Sequence, residues 1–327
     1  MRVYRAKEAK KLQVISSDKE KFLSLVSEEQ ITPDYNFTDK WIHMSNPTDK
    51  EIEFISSSCA VPEEMIKAAL DEEERARGER DDDISLIICD IPVIEEDDDH
   101  YTYSTMPFGI ILTKTTIITV CLNETTIIND FIYGRVKNVS VKKKTRLLLQ
   151  IQFKIATKYL QYLKQIDKTS QRIRTELEKS MRNKELIEML DLEKSLVYIT
   201  TSLRSNKVLL EKLPKIADFY EEDQELLDDV IIETNQAIEM GNIYSDILAG
   251  TMDAYASIIS NNLNIVMKTL TVITILIAIP SMIASFWGMN TGVPFEGKPW
   301  GFWVVIALSI VICIITGIVM VKKKTLK

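Results

Sequence analysis

The spacing of apolar positions changes three times along this chain of 327 residues. Up to about residue 138 they come in short β-branched runs, which predict strands at 12–16, 41–44, 84–94, 106–112 and 116–120, the last two joined by a turn at 113–115. Helix starts fall between them. Asn46-Pro47-Thr48 followed by Asp49 and Glu51 reads as a capped start, and Val61-Pro62-Glu63-Glu64 as a second with proline in its first turn. From residue 139 the period becomes heptad-like through Leu147, Ile151, Ile155, Tyr159, Tyr162 and Ile166, then Leu186, Leu190, Leu196 and Ile199. Breaks near 181–184, near 204–207 and at Pro214 predict long antiparallel helices. Residues 218–287 hold only Gly241 and Gly250 and no proline before Pro280, which predicts one helix about 100 Å long at 1.5 Å per residue. Such a helix cannot bury its apolar residues alone, so partners are implied.

The last two apolar runs, 269–287 and 302–321, carry no charge and approach the roughly 20 residues needed to cross hydrocarbon. They predict a membrane hairpin whose mouth holds Gly288-Met289-Asn290, in a mature protein anchored by its tail. Lys268 precedes the first run and Lys322, Lys323, Lys324 and Lys327 follow the second, whereas the connection carries only Glu296 and Lys298. The positive-inside rule then leaves both termini cytoplasmic and the tripeptide outside, with Trp287, Trp300 and Trp303 at the outer boundary.

Charge sharpens the division. Residues from 265 onward sum to +5, and the whole chain is −8, so the part before 265 carries −13. That acidity excludes nucleic acid as a partner, which wants a basic face. It suits a domain that meets metal cations, and equally an ordinary acidic soluble domain. Cys59, Cys89, Cys121 and Cys313 are widely spaced, as expected of inert thiols in a reducing compartment. His43 and His100 lack neighbours at zinc-ligand spacing. An enzyme is disfavoured, since no nucleophile–base pairing or Walker loop is present.

Within the first apolar run, Asn264, Met267, Thr271, Thr274, Ala278, Ser281 and Ser285 recur every three or four residues as a stripe of small, polar or flexible side chains, opposite a face with Ile273, Ile277 and Ile283. The stripe suits a helix packing seam. It also suits a wet pore wall, but one hairpin cannot enclose water, so a pore requires several copies around an axis. In an outward-running helix the terminal carbonyls converge near Gly288 with partial negative charge, and Asn290 adds carboxamide oxygens. Neutral amides there suit a hydrated Mg²⁺, which gives up water reluctantly. Met267 and Leu270 are placed either to close such a pore by dewetting or simply to pack the bundle.

These residues resemble the CorA family of divalent-cation channels. Gly288-Met289-Asn290 at the end of the first of two C-terminal spans is similar to that family's defining motif, and the likeness extends to Trp41-Ile42-His43-Met44-Ser45-Asn46-Pro47-Thr48 and to residues 264–270. The resemblance implies an α/β cytoplasmic domain, a long α-helical stalk and two C-terminal transmembrane helices in a funnel-shaped homopentamer of the cell membrane. It implies passive uptake of Mg²⁺, with Co²⁺ and Ni²⁺ as further substrates, and no cofactor beyond Mg²⁺ as transported and regulatory ion. By position, Gly288, Met289 and Asn290 resemble the selectivity filter. Asn264, Thr274 and Ser281 resemble inner polar rings, Thr271, Ala278 and Ser285 continue the lining, Met267 and Leu270 resemble the hydrophobic gate, and Asp253 resembles an acidic ring below it. Closure by internal Mg²⁺ between subunits is implied at Asp229, with Glu95 as its partner from the run Glu95-Glu96-Asp97-Asp98-Asp99.

The expected organisation is an α/β cytoplasmic domain over 1–138, antiparallel helices over 139–217, and a stalk over 218–289 that becomes the first membrane helix at about 269–287. An extracytoplasmic loop over 290–301, a second membrane helix over 302–321 and a basic tail over 322–327 complete it. Two departures from the family stand out: the outer loop lacks an acidic cluster, and Ser281 stands where threonine is frequent. Met289 favours the magnesium branch over the zinc-transporting, ZntB-like branch. A membrane-tethered coiled-coil sensor or scaffold without transport is the alternative of another class.

Overall fold

The computed structural model describes residues 12–18, 22–25, 35–97, 100–180, 183–290, 292–295 and 297–322. Contacts divide the chain into two compact units, Met1–Ala249 and Gly250–Lys327. The first holds a seven-stranded sheet of β1 (Leu12–Asp18), β2 (Phe22–Leu25), β3 (Trp41–Ser45), β4 (Arg77–Asp81), β5 (Ile84–Asp97), β6 (His100–Leu112) and β7 (Ile117–Cys121). Their order is β2-β1-β3-β7-β6-β5-β4, with β3 and β7 parallel and every other pair antiparallel.

Helices cover both faces of this sheet. On one lie α1 (Asp49–Cys59) and α2 (Glu63–Ala68), whose Ile52, Ile55, Met65 and Ile66 close a core with Val14, Ile42, Met44, Leu86, Ile88, Ile111, Ile118 and Val120. The expected start of α1 is present as a capping box, in which Thr48 Oγ1 accepts from Glu51 N–H and Glu51 accepts from Thr48 N–H. α2 comes close because residue 109 is glycine: a Cβ there would lie 2.4 Å from Ala69 Cβ. The other face carries α3 (Thr126–Ile132), α4 (Lys144–Ser180) and α5 (Asn183–Ile216). Trp41 stacks edge-on against Phe131 there, and its indole N–H donates to Thr119 Oγ1. His43 shares that hydroxyl, and burial holds its imidazole down at about 4, so the ring stays neutral.

Two strands escape the periodicity. β4 reads Arg-Gly-Glu-Arg-Asp and β2 is only four residues long, and both are edge strands specified by pairing with a neighbour rather than by an apolar face. β5 and β6 also run further than expected, because their register continues through Glu95 opposite Thr102 to Asp97 opposite His100. Asp98 and Asp99 of the acidic run, and Met181 of the expected break at 181–184, lie outside the described residues.

α5 contradicts two expected breaks. It is unbroken through 204–207, because Asn206 there is 3% exposed and fully partnered by the sheet rather than looping out, and it continues past Pro214, which falls in its last turn. β4 pairs with β5 only as far as Ile88. Beyond that point the Asn206 carboxamide takes the place of a strand, its Oδ1 accepting from Asp90 N–H at 2.9 Å and its Nδ2 donating to Asp90 O at 2.7 Å. Ser202 bonds Thr105, and Ser195 accepts from Tyr103 N–H, so one polar row on an otherwise apolar helix face docks α5 on β5 and β6. On its outer side α5 meets α6 (Gln224–Trp287): a Cβ on Gly241 would lie 2.5 Å from Thr200 Cγ2, and Arg204 donates to Asn242 at 2.8 Å.

The second unit comprises the remainder of α6 and the helix α7 (Gly301–Lys322). Both are long and apolar enough to cross a membrane.

Candidate functional site

The stripe lies along an uncovered face of α6. Asn264, Met267, Leu270, Thr271, Thr274, Ala278, Ser281 and Ser285 are all exposed within the chain. Val272 is buried and Ile275, Leu276, Ile279, Pro280, Ile283 and Trp287 are half-buried. At about 100° per residue these two sets are centred on nearly opposite sides of the helix. The covered face therefore differs from the expected one: Ile283 belongs to it, whereas Ile273 and Ile277 flank it and stay exposed.

Three hydroxyls of the stripe are oriented by the helix itself. Thr271 donates to Met267 O, Thr274 to Leu270 O and Ser281 to Ile277 O, at 2.8, 2.8 and 3.1 Å. Back-bonding of this kind is the usual recourse of a hydroxyl in an apolar helix. Its chemical result is a polarity: each hydrogen is committed to the backbone, and each oxygen turns its lone pairs outward. At these three positions an acceptor with its own hydrogen already committed matches the hydrogens of water bound to a cation.

At its end α6 closes with Gly288 N–H on Ala284 O and Met289 N–H on Phe286 O. Met289 and Asn290 project from this terminus, exposed, beside carbonyls that carry the helix's partial negative charge. The connection to α7 is tied down by aromatic packing that the sequence suggested only as an interfacial preference. Phe295, held at a φ of 70°, stacks on Trp287 at 6.2 Å and packs at a tilt on Trp300 at 4.8 Å, while Lys298 lies 5.6 Å over the Trp300 ring. Trp303 packs on Phe302 instead. A groove of about 600 Å³ runs between the two helices, lined by Pro280, Ala284, Trp287, Phe302, Ser309 and Cys313 among others. At the end of the groove away from Gly288, the Cys313 thiol donates to Leu276 O at 3.5 Å.

The acidic candidates are dispersed. Asp253 is exposed on α6, Asp229 is exposed near its start, and Glu95 is exposed on β5 at a cleft of about 600 Å³ that also holds Glu72 and Glu124. Among the described residues no three His, Cys, Asp or Glu side chains are grouped to hold a metal. Asp223, which the sequence merges with the run around Asp229, has a different part. It is 2% exposed, accepts from Thr145 Oγ1 at 2.8 Å and faces Arg146 at 3.6 Å, so it fixes the start of α6 against α4. What sequence reasoning missed in the second unit is the pair Pro280 and Cys313. The available signal was a proline inside a span, which always frees one carbonyl.

Comparison with known proteins gives a consistent picture. The model of the CorA-like Mg²⁺ transporter protein family matches residues 39–324. The cobalt/magnesium transport protein CorA of Methanocaldococcus jannaschii is 30% identical over 287 residues, 84% of this chain and 87% of that protein. Its counterpart from Thermotoga maritima is 33% identical over 152 residues, 41% of this chain and 42% of the relative. The complete structure of the CorA magnesium transporter from M. jannaschii superposes with a TM-score of 0.80 at 26% identity, covering 96% of this chain and 98% of that one. The cytoplasmic domain of ZntB from Vibrio parahaemolyticus, at 14% identity, TM-score 0.55, and 76% and 96% coverage, shares the fold alone.

Proposed function

The chain belongs to the CorA-like Mg²⁺ transporter family of divalent-cation transporters, and on that premise we propose that it is a Mg²⁺ channel whose pore is lined by α6. Its assembly is a funnel-shaped homopentamer in the cell membrane, with both termini cytoplasmic and Co²⁺ and Ni²⁺ as further cargo. Both curated relatives are named as cobalt/magnesium transport proteins, which supports this choice of ions. The observation that carries the reading is the acceptor row on the uncovered face of α6, where hydroxyl hydrogens are turned back onto carbonyls and oxygens face out, ending at Asn290.

In such a pentamer Asn290, behind Gly288 and Met289, forms the outer ring. Its five carboxamide oxygens accept from the water shell of Mg²⁺, a cation that keeps several waters, and discrimination needs no stripping. Ser285, Ser281, Ala278, Thr274, Thr271 and Asn264 continue the lining inward. Met267 and Leu270, both more than half exposed in the single chain, form the apolar constriction that empties of water when closed, with Asp253 below to gather cations. Closure follows internal Mg²⁺: the ion bridges Asp229 of one subunit and Glu95 of the next, carboxylates that repel when it is absent. The closed ring is then favoured by its greater affinity for the ion. Residues 1–138 and 139–217 serve as the cytoplasmic sensor, 218–289 as stalk and pore helix, 290–301 as the outer loop, 302–321 as the second span and 322–327 as its cytoplasmic anchor among the lipid headgroups.

The test is Mg²⁺ influx into dye-loaded proteoliposomes for wild type and Asn290→Ala. Influx lost in the variant, with assembly intact, is expected. Equal fluxes refute the asparagine ring. Flux of Zn²⁺ but not Mg²⁺ moves the chain to the zinc-transporting branch, and no flux of either ion leaves the scaffold alternative.

A further inference from the structure

Pro280 lies inside α6, and its ring nitrogen has no hydrogen to give. In an α-helix the amide of residue 280 would bond the carbonyl of residue 276, so Leu276 O is left without its intrahelical donor. In a hydrocarbon environment a carbonyl in that state is costly, and a proline is tolerated there when a neighbouring group supplies the missing hydrogen. The group that reaches Leu276 O is the Cys313 thiol of α7, 3.5 Å away. Nearby Ile277 O accepts the Ser281 hydroxyl, so that second polar group is already engaged.

We propose that Cys313 is a positioning residue for the pore helix: its thiol occupies the hydrogen-bond place that Pro280 vacates and thereby fixes the part of α6 that carries Ser281 and Thr274. The contact couples the two spans at the level of the acceptor row. It also accounts for a cysteine at a polar duty within an apolar helix, one turn from Ser309, whose hydroxyl is spent on Val305 O. A thiol is a weak donor with a long reach and costs little to bury, so it satisfies the carbonyl without bringing water between the helices. The consequence for conduction rests on the channel reading given above, but the hydrogen bond does not.

The experiment is a cycle in two backgrounds on the full-length protein in proteoliposomes. Cys313→Ala and Cys313→Ser are each made in the wild type and in Pro280→Ala, where residue 280 regains an N–H for Leu276 O. Cys313→Ala is expected to slow Mg²⁺ influx roughly threefold, the effect of one membrane hydrogen bond. Cys313→Ser is expected to retain most of the flux, and in the Pro280→Ala background Cys313→Ala should change nothing. The second readout is infrared. The S–H stretch that disappears from wild type in Cys313→Ser should sit at the lowered frequency of a bonded thiol, and at the free-thiol frequency when the same difference is taken on Pro280→Ala. A free-thiol frequency in the wild type, or equal effects of Cys313→Ala in both backgrounds, overturns the proposal. If no variant or wild type moves ions but the bonded S–H band is present, the channel reading fails and the positioning of α6 by Cys313 stands.

Discussion

Replacing Asn206 by alanine tests how α5, and through it α6, is held to the sheet. Asn206 satisfies both backbone groups of Asp90 where β4 no longer pairs with β5. Removing the carboxamide leaves the half-buried Asp90 N–H without its acceptor, which costs about 1–3 kcal/mol. Asp90 O keeps the Tyr159 hydroxyl at 3.1 Å, so losing its second donor adds only about 0.5–1 kcal/mol. The sum, roughly 1.5–4 kcal/mol, sits at the junction of α5 with β5. Opening there becomes at least about tenfold more frequent, since 1.4 kcal/mol is a factor of ten. Hydrogen exchange followed by mass spectrometry on peptides covering residues 86–94 and 195–210 reads it directly. Arg204→Ala, which removes an exposed bond to Asn242, is the control and is expected to change exchange in those peptides by less than about threefold. Unchanged protection at Asp90 in Asn206→Ala would refute the view that a side chain substitutes for the missing strand.

Burial pushes the Asp90 carboxyl up to about 6 from 3.8, against the opposing pull of the Ser202 hydroxyl, so the folded chain holds a proton there that the unfolded chain has released. Stability contributed at this site therefore falls as pH rises from about 4 to about 6, by up to about 3 kcal/mol, and stays low above that. Asp90→Asn should accordingly raise the melting midpoint at pH 8 and leave it nearly unchanged at pH 4; an equal shift at both values rejects the assignment. Gly109→Val should destabilise the first unit by several kcal/mol, because its Cβ would sit 2.4 Å from Ala69 Cβ with backbone fixed on both sides, as thermal melts of the full-length protein will register. If Asp229 binds the closing ion as proposed, Asp229→Asn is expected to raise the internal Mg²⁺ concentration needed to halve influx by several-fold while sparing flux at low internal Mg²⁺; an unaltered inhibition curve refutes that role.

Local pattern was enough to specify much of this protein. Alternating β-branched runs placed five of the seven strands, the Thr48–Glu51 box placed the start of α1, and uninterrupted apolar stretches placed both candidate spans, because each signal is a property of a single segment with its own period. The Ser/Thr stripe on α6 was equally legible, since helical spacing alone puts those residues on one face. Other features depended on what lies across space. The polar edge strand β4 exists through its ladder with β5, and Asn206, which reads in sequence as part of a helix break, is a buried surrogate strand whose meaning depends on where β4 stops. Asp223 and Asp229 look alike in one acidic run, yet a neighbouring helix buries the first and leaves the second in solvent. The direction of the α6 hydroxyls and the meeting of Cys313 with the carbonyl freed by Pro280 belong to the same class. Hydrogen bonds join particular atoms at particular distances, and only the folded chain brings residues 276 and 313 within reach of one another.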